Sequence, residues 1–358
     1  MTPGPRQRAP LLVLGFAALV AGTAAGLARM GYAMPTPLAL LVTLHGPLMI
    51  CGFFGTVISL ERAVAVGRPW AYAAPLAAGV GTLALLAGVG RAAPWLYAGA
   101  GAVLLAATLS ILRRQFALFT LTLALGAASW FAGSLLWSSG SAVAAAVPWW
   151  IAFLVLTIAG ERLELSRLRP PSPIAVRVFA ALLAACLVGL AAAAAGAQVW
   201  GGTLFAASLL GLAAWLARQD VARRTVRGRG LTRFIAVALL AGYFWLGVSA
   251  AVALAAGGFV PGSRAYDAAL HALLIGFVFS MVFGHAPIIF PAVLRVQLPY
   301  RPLFYLPLAL LHVSLAVRLA GDALGDATLL RLGGAATAVA LAAFVVTMAG
   351  AALRARRR

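Results

Sequence analysis

Residues 265–294 read AYDAALHALLIGFVFSMVFGHAPIIFPAVL. A helix of this length extends about 45 Å at 1.5 Å per residue, more than the roughly 30 Å of hydrocarbon in a bilayer. The stretch carries one acid near its start, no base and two histidines. Its apolar residues run on without the period-two alternation of a barrel strand. Inside hydrocarbon every backbone N–H and C=O must be satisfied within the segment, so the stretch is a transmembrane helix.

The same pattern fills the rest of the chain. Of 358 residues, 64% are hydrophobic and 9% charged, far from the balance of a soluble domain. Apolar runs predict about twelve spans, at 10–31, 36–60, 70–90, 93–112, 115–137, 143–160, 174–196, 199–217, 231–257, 265–294, 302–320 and 327–352. The fold expected is an all-α, polytopic helical bundle forming a single transmembrane domain over residues 1–358. No composition shift marks a domain boundary, and the Arg-rich loop at 218–233 reads as a solvated connection.

The net charge of +20 contains no lysine, and its arginines sit between apolar runs instead of in one patch. That distribution argues against a nucleic-acid partner and for topology signals. With both termini in the cytoplasm, 22 of the 27 basic residues fall on inner ends. Arg29, Arg91, Arg264, Arg318 and Arg331 remain for outer ends, together with Asp267, Asp322 and Asp326. The opening PRQR, an apolar stretch and AGTAAGLA fit either a first span or a cleavable secretory signal. Cys51 and Cys186 lie in apolar runs and read as small hydrophobes.

Function in such a chain is sought among polar residues placed where burial costs free energy. All four histidines, His45, His271, His285 and His312, lie within spans. Counting from the predicted helix ends places His45 about 12–14 Å and His271 about 8–9 Å deep from the outer side. His285 and His312 fall about 13–15 Å from the inner side, a second level. At about 100° per residue His271 and His285 share one helix face, separated by roughly 21 Å. Such a face suits two stacked metal centres, each completed by a histidine from another helix. Neutral imidazole ligates haem iron, and helical bundles bury porphyrins.

His45 and His271 are the candidate ligands of a first haem, and His285 and His312 of a second site. Asp267 lies one turn before His271 and could orient its ring, with Arg264 as a partner for a propionate. Interhelical hydrogen bonding is the plain alternative for each histidine. Glu61 with Arg62, and Glu161, Arg162 and Glu164, read as interfacial ion pairs.

Around the two outer histidines the text resembles the NnrS family, twelve-span haem membrane proteins associated with nitric-oxide stress and distantly similar to subunit I of haem-copper oxidases. HGPLMICGFFGTVISLERAVAVGRPW at 45–70 is similar to that family's histidine helix and the loop after it. HALLIGFVFSMVFGHAPIIF at 271–290 opens with the same His-Ala-Leu, and RPLFYLPLAL at 301–310 resembles the next loop and helix. The resemblance implies haem ligation by His45 and His271. It departs at Leu44, Gly46 and Pro47, where the family carries further polar residues, and at His285, which lies farther from the helix end. It provides no counterpart for His312. The adjacent histidine pair of a haem-copper binuclear centre is absent, so no complete oxygen-reducing site is expected.

The expectation is a multi-pass protein of a bacterial-type plasma membrane, in contact with lipid, holding haem b at one site or at two. Its role would be electron transfer or a nitric-oxide-related response, with a quinone or another redox protein as partner. The alternatives are a cofactor-free transporter that uses its histidines for proton relay or substrate binding, and an assembly subunit in which they are dispensable.

Overall fold

The computed structural model describes residues 3–35, 38, 41–168 and 170–356. The opening residues 36, 37, 39 and 40 of the second predicted span, and the arginines Arg169, Arg357 and Arg358, lie outside the described residues. Twelve helices are long and apolar enough to cross a membrane. They are α1 (Pro5–Arg29), α2 (Val42–Val66), α3 (Pro69–Leu86), α4 (Ala93–Arg114), α5 (Leu118–Ser138), α6 (Val143–Leu165), α7 (Pro173–Ala194), α8 (Gln198–Gln219), α9 (Gly230–Ala255), α10 (Arg264–Leu294), α11 (Pro302–Leu324) and α12 (Ala327–Ala355). The chain is an all-helical, multi-pass membrane protein, with no strand among the described residues.

Two compact units divide it. The first holds residues 1–161 and 293–295, and the second holds 162–292 and 296–358. The division falls between Glu161 and Arg162 inside α6, where an unbroken helix leaves no linker for the composition to reveal.

In the first unit, small and aromatic residues set the packing. Trp130 on α5 stacks on Phe153 of α6 with centroids 5.0 Å apart, and donates its indole N–H to Cys51 Sγ on α2 at 3.4 Å. Trp150 and Tyr97, both fully buried, reach Ser134 and Thr82 at 3.3 and 3.1 Å. Indole and phenol groups in an apolar core require such partners, because an unpaired N–H or O–H is costly there. Buried Arg8 on α1 donates to the Val293 carbonyl at 3.2 Å, which places 293–295 with this unit.

In the second unit, α7 packs on α8 and α11 on α12 as consecutive helix pairs, and α9 lies against both α8 and the middle of α10. Phe283 on α10 stacks on Phe344 of α12 at 3.9 Å, and Trp215 on α8 donates to the Ala175 carbonyl on α7 at 2.8 Å.

Two helices are not α-helical throughout. α2 changes to π-helix over Leu48–Phe54, and α10 over Ala272–Phe279. π-Helical turns are rare, arise as local insertions within α-helices, and concentrate at functional sites. Here each follows closely on a histidine: His45 precedes the first by three residues, and His271 immediately precedes the second.

Candidate functional site

In the first unit, His45 sits at the start of α2, three residues after Val42, about 5 Å along the helix. The expected 12–14 Å counts from residue 36, and residues 36, 37, 39 and 40 lie outside the described residues. Its ring lies over α1. Nδ1 is 2.6 Å from the carbonyl oxygen of Gly22, and a Cβ placed on Gly26 would come within 2.9 Å of both Nδ1 and Cε1. The small residues of α1 therefore have a specific use, because Gly26 lacks the side chain that would cover the Gly22 carbonyl one turn earlier.

In the second unit, His271 Nδ1 lies 2.8 Å from the carbonyl of Asp267 and 3.3 Å from its Oδ2. That carboxylate also accepts a 2.7 Å hydrogen bond from Arg318 Nη2 on α11. Asp322, buried one turn beyond Arg318, lies within electrostatic reach of Asp267, Arg318 and His271. Asp267, expected to orient the His271 ring, thus meets its Nδ1 through both the main-chain carbonyl and the carboxylate. Arg264 does not partner it: its guanidinium is exposed and lies against Gly325, and the cation on Asp267 is Arg318. Arg318 had read as a topology residue at an outer end, and its spacing from Asp267, 51 residues, carries no periodic signal.

The two rings share one chemical feature. A carbonyl oxygen only accepts, so Nδ1 carries the proton in both His45 and His271. A neutral ring held in this way has its lone pair on Nε2, the tautomer in which metal-ligating histidines are held by their surroundings. The donor chemistry fits a haem iron. Among the described residues no group of three or more His, Cys, Asp or Glu could hold a bare ion.

His285 and His312 differ in kind. His285 donates through Nδ1 to the Met281 carbonyl at 2.8 Å, while its Nε2 is 3.3 Å from Arg162 Nη1. A guanidinium only donates, so it takes the lone pair a metal would need. The Arg162 guanidinium also clasps Asp220 through Nε at 2.7 Å and Nη2 at 3.0 Å. Asp220 further accepts from Tyr243 Oη at 2.6 Å and the Ala222 N–H at 2.7 Å. Burial pushes the Asp220 carboxyl up, but Arg162, Tyr243 and Ala222 outweigh it and hold it below the usual carboxylate value. Arg162 had read as an interfacial anchor, and this buried network was not visible in the sequence. Arg62, expected to pair with Glu61, lies 3.6 Å from Glu161 on α6.

His312 accepts the Trp245 indole N–H on Nδ1 at 2.9 Å. Indole only donates, so the His312 proton resides on Nε2, the reverse of His45 and His271. The expectation that His271 and His285 present one face is corrected as well. It assumed a uniform α pitch, and the π-helical turns at Ala272–Phe279 lie between the two residues and change their phase.

Compared with known proteins, residues 8–353 match the model of a family described as a domain of unknown function, DUF8744. No curated protein and no solved structure matches the chain.

Proposed function

As the chain belongs to the DUF8744 family, whose description assigns no activity, we propose from its own residues that it is a membrane b-type haem protein with His45 and His271 as axial ligands. The observation that carries this reading is the anchoring of both rings through Nδ1 to a main-chain carbonyl, Gly22 for one and Asp267 for the other. That arrangement fixes the tautomer and raises ligand basicity, as the hydrogen-bonding shells of metal-bound histidines do. The π-helical turns after each histidine support it independently, because such turns are rare and occur frequently at functional sites.

The chain's residues then divide the work. Gly26 leaves room for the His45 ring, and Gly22 holds its Nδ1–H. Asp267 holds the His271 ring, and Arg318 holds Asp267. When bound, a haem with two imidazole ligands passes single electrons and offers no open iron position to a substrate. The reading is therefore electron transfer or a nitric-oxide-related response in a bacterial-type plasma membrane, the latter by likeness to NnrS alone. One haem is favoured over two, because Arg162 and Trp245 engage the acceptor nitrogens of His285 and His312.

The test is the visible spectrum of the protein purified in mild detergent from haem-replete cells. Reduced Soret and α bands are expected in the wild type and are lost in both His45→Ala and His271→Ala. A colourless, folded preparation would overturn the proposal and return the histidines to a transport role.

A further inference from the structure

Trp245 and His312 form a pair to which the haem reading assigns no ligand or support. The indole N–H of Trp245 points to His312 Nδ1 at 2.9 Å, with the two rings tilted by only 15°. Its indole fills the space a side chain at Gly276 would take, inside the π-helical part of α10, so the indole is locked in place. Because Nδ1 accepts, Nε2 of His312 is an N–H donor. That atom is buried and has no hydrogen-bond partner among the described residues. An orphaned donor in an apolar setting costs free energy unless something accepts from it.

Depth narrows what that acceptor is. His312 is ten residues from the start of α11 and twelve from its end, about 15 and 18 Å along the axis. In hydrocarbon roughly 30 Å thick this is close to the midplane, beyond the reach of phospholipid ester carbonyls at the interface. Tryptophan ordinarily seeks that interface, and Trp245 stands at mid-span only because His312 satisfies its N–H. Both residues are largely buried, and the side chains next to them in sequence, Phe244 and Val313, are 63% exposed. Nε2 itself has no open surface, so an acceptor from the membrane interior reaches it only when a covering side chain moves aside.

We propose that Trp245 and His312 form a binding site for a lipid-soluble quinone, whose ring carbonyl accepts the Nε2–H of His312 while its ring lies against the indole. A quinone is apolar enough to reach the midplane and carries the acceptor that the site lacks. The proposal concerns binding only and does not depend on haem at His45 and His271, so either can fail without the other.

The experiment titrates decylubiquinone into the full-length protein in nanodiscs, reading the saturable change in tryptophan fluorescence. It is run in discs of ester-linked and of ether-linked phospholipid. Saturable one-to-one binding of similar strength is expected in both. A loss of about tenfold or more is expected in His312→Leu, the size of one lost hydrogen bond. His312→Gln, which keeps an N–H donor, should bind within about threefold of the wild type. Val313→Ala, with the wild-type pair, should also bind normally. Absence of saturable binding, or wild-type binding by His312→Leu, would overturn the proposal. Binding that appears only in ether-linked discs would overturn it too, since a lipid ester carbonyl would then be the occupant. Should His312→Leu fail to fold, Trp245→Phe and His312→Gln decide the question by the same readout.

Discussion

His45 Nδ1 lies 2.6 Å from the carbonyl oxygen of Gly22, and the same ring rests on Gly26, one helical turn later. A helix carbonyl is ordinarily shielded by the side chain that follows it by a turn. Removing that side chain opens the carbonyl to a histidine from the next helix, and α1 becomes the support of a candidate ligand on α2.

Gly26→Ala puts a methyl group within 2.9 Å of the ring. Haem retention should fall by about 10–100-fold, as for other losses of a ligand's supporting contacts. Gly46→Ala, next to His45 but with nothing within 4 Å of its added Cβ, should retain haem normally. Pyridine haemochrome absorbance per chain measures both.

Asp267→Asn removes the charge that Arg318 and His271 share. Destabilisation of about 1–3 kcal/mol is expected from losing hydrogen bonds to a charged partner, together with about 10–100-fold weaker haem retention. Arg264→Ala should change neither, because Arg264 is exposed and takes no part in that pairing. Thermal unfolding followed in detergent, with and without added haem, separates the two effects.

At the Arg162–Asp220–Tyr243–His285 network, Asp220→Asn leaves a buried guanidinium without its anion and should cost about 3–5 kcal/mol. Replacing Arg162 and Asp220 together by Met and Leu should recover part of that loss. The pH dependence has a definite sign. The Asp220 carboxyl is held below its unfolded value of about 3.9, so its contribution is fully present above that value. It is lost as pH falls through the folded value. The gap in melting temperature between wild type and Asp220→Asn should therefore be flat above about pH 5 and close below about pH 4.

Hydropathy made all twelve helices legible, although several ends fall a few residues from the predicted ones, as at Val42–Val66 against 36–60. The stretch predicted at 265–294 forms α10, Arg264–Leu294, because an apolar run of that length has no other way to satisfy its backbone. Histidine identity was legible too, since imidazoles are scarce in this chain and conspicuous among apolar neighbours. Their surroundings were not. LMICGFF and ALLIGFVF have the composition of any membrane helix, so nothing announced the π-helical turns or the phase change they impose between His271 and His285. Arg318 and Arg162 looked like topology signals, because a contact to Asp267 or Asp220 across 51 or 58 residues leaves no local pattern. The opposite tautomers of His271 and His312 depend on whether the partner of Nδ1 accepts or donates, which only the folded chain specifies.

Haem per chain, measured by pyridine haemochrome in the wild type and in four variants, tests the ligand assignment most directly. One haem is expected in the wild type, in His285→Gln and in His312→Gln, and none in His45→Ala or His271→Ala. Two haems in the wild type, or full haem in either His45→Ala or His271→Ala, would contradict it.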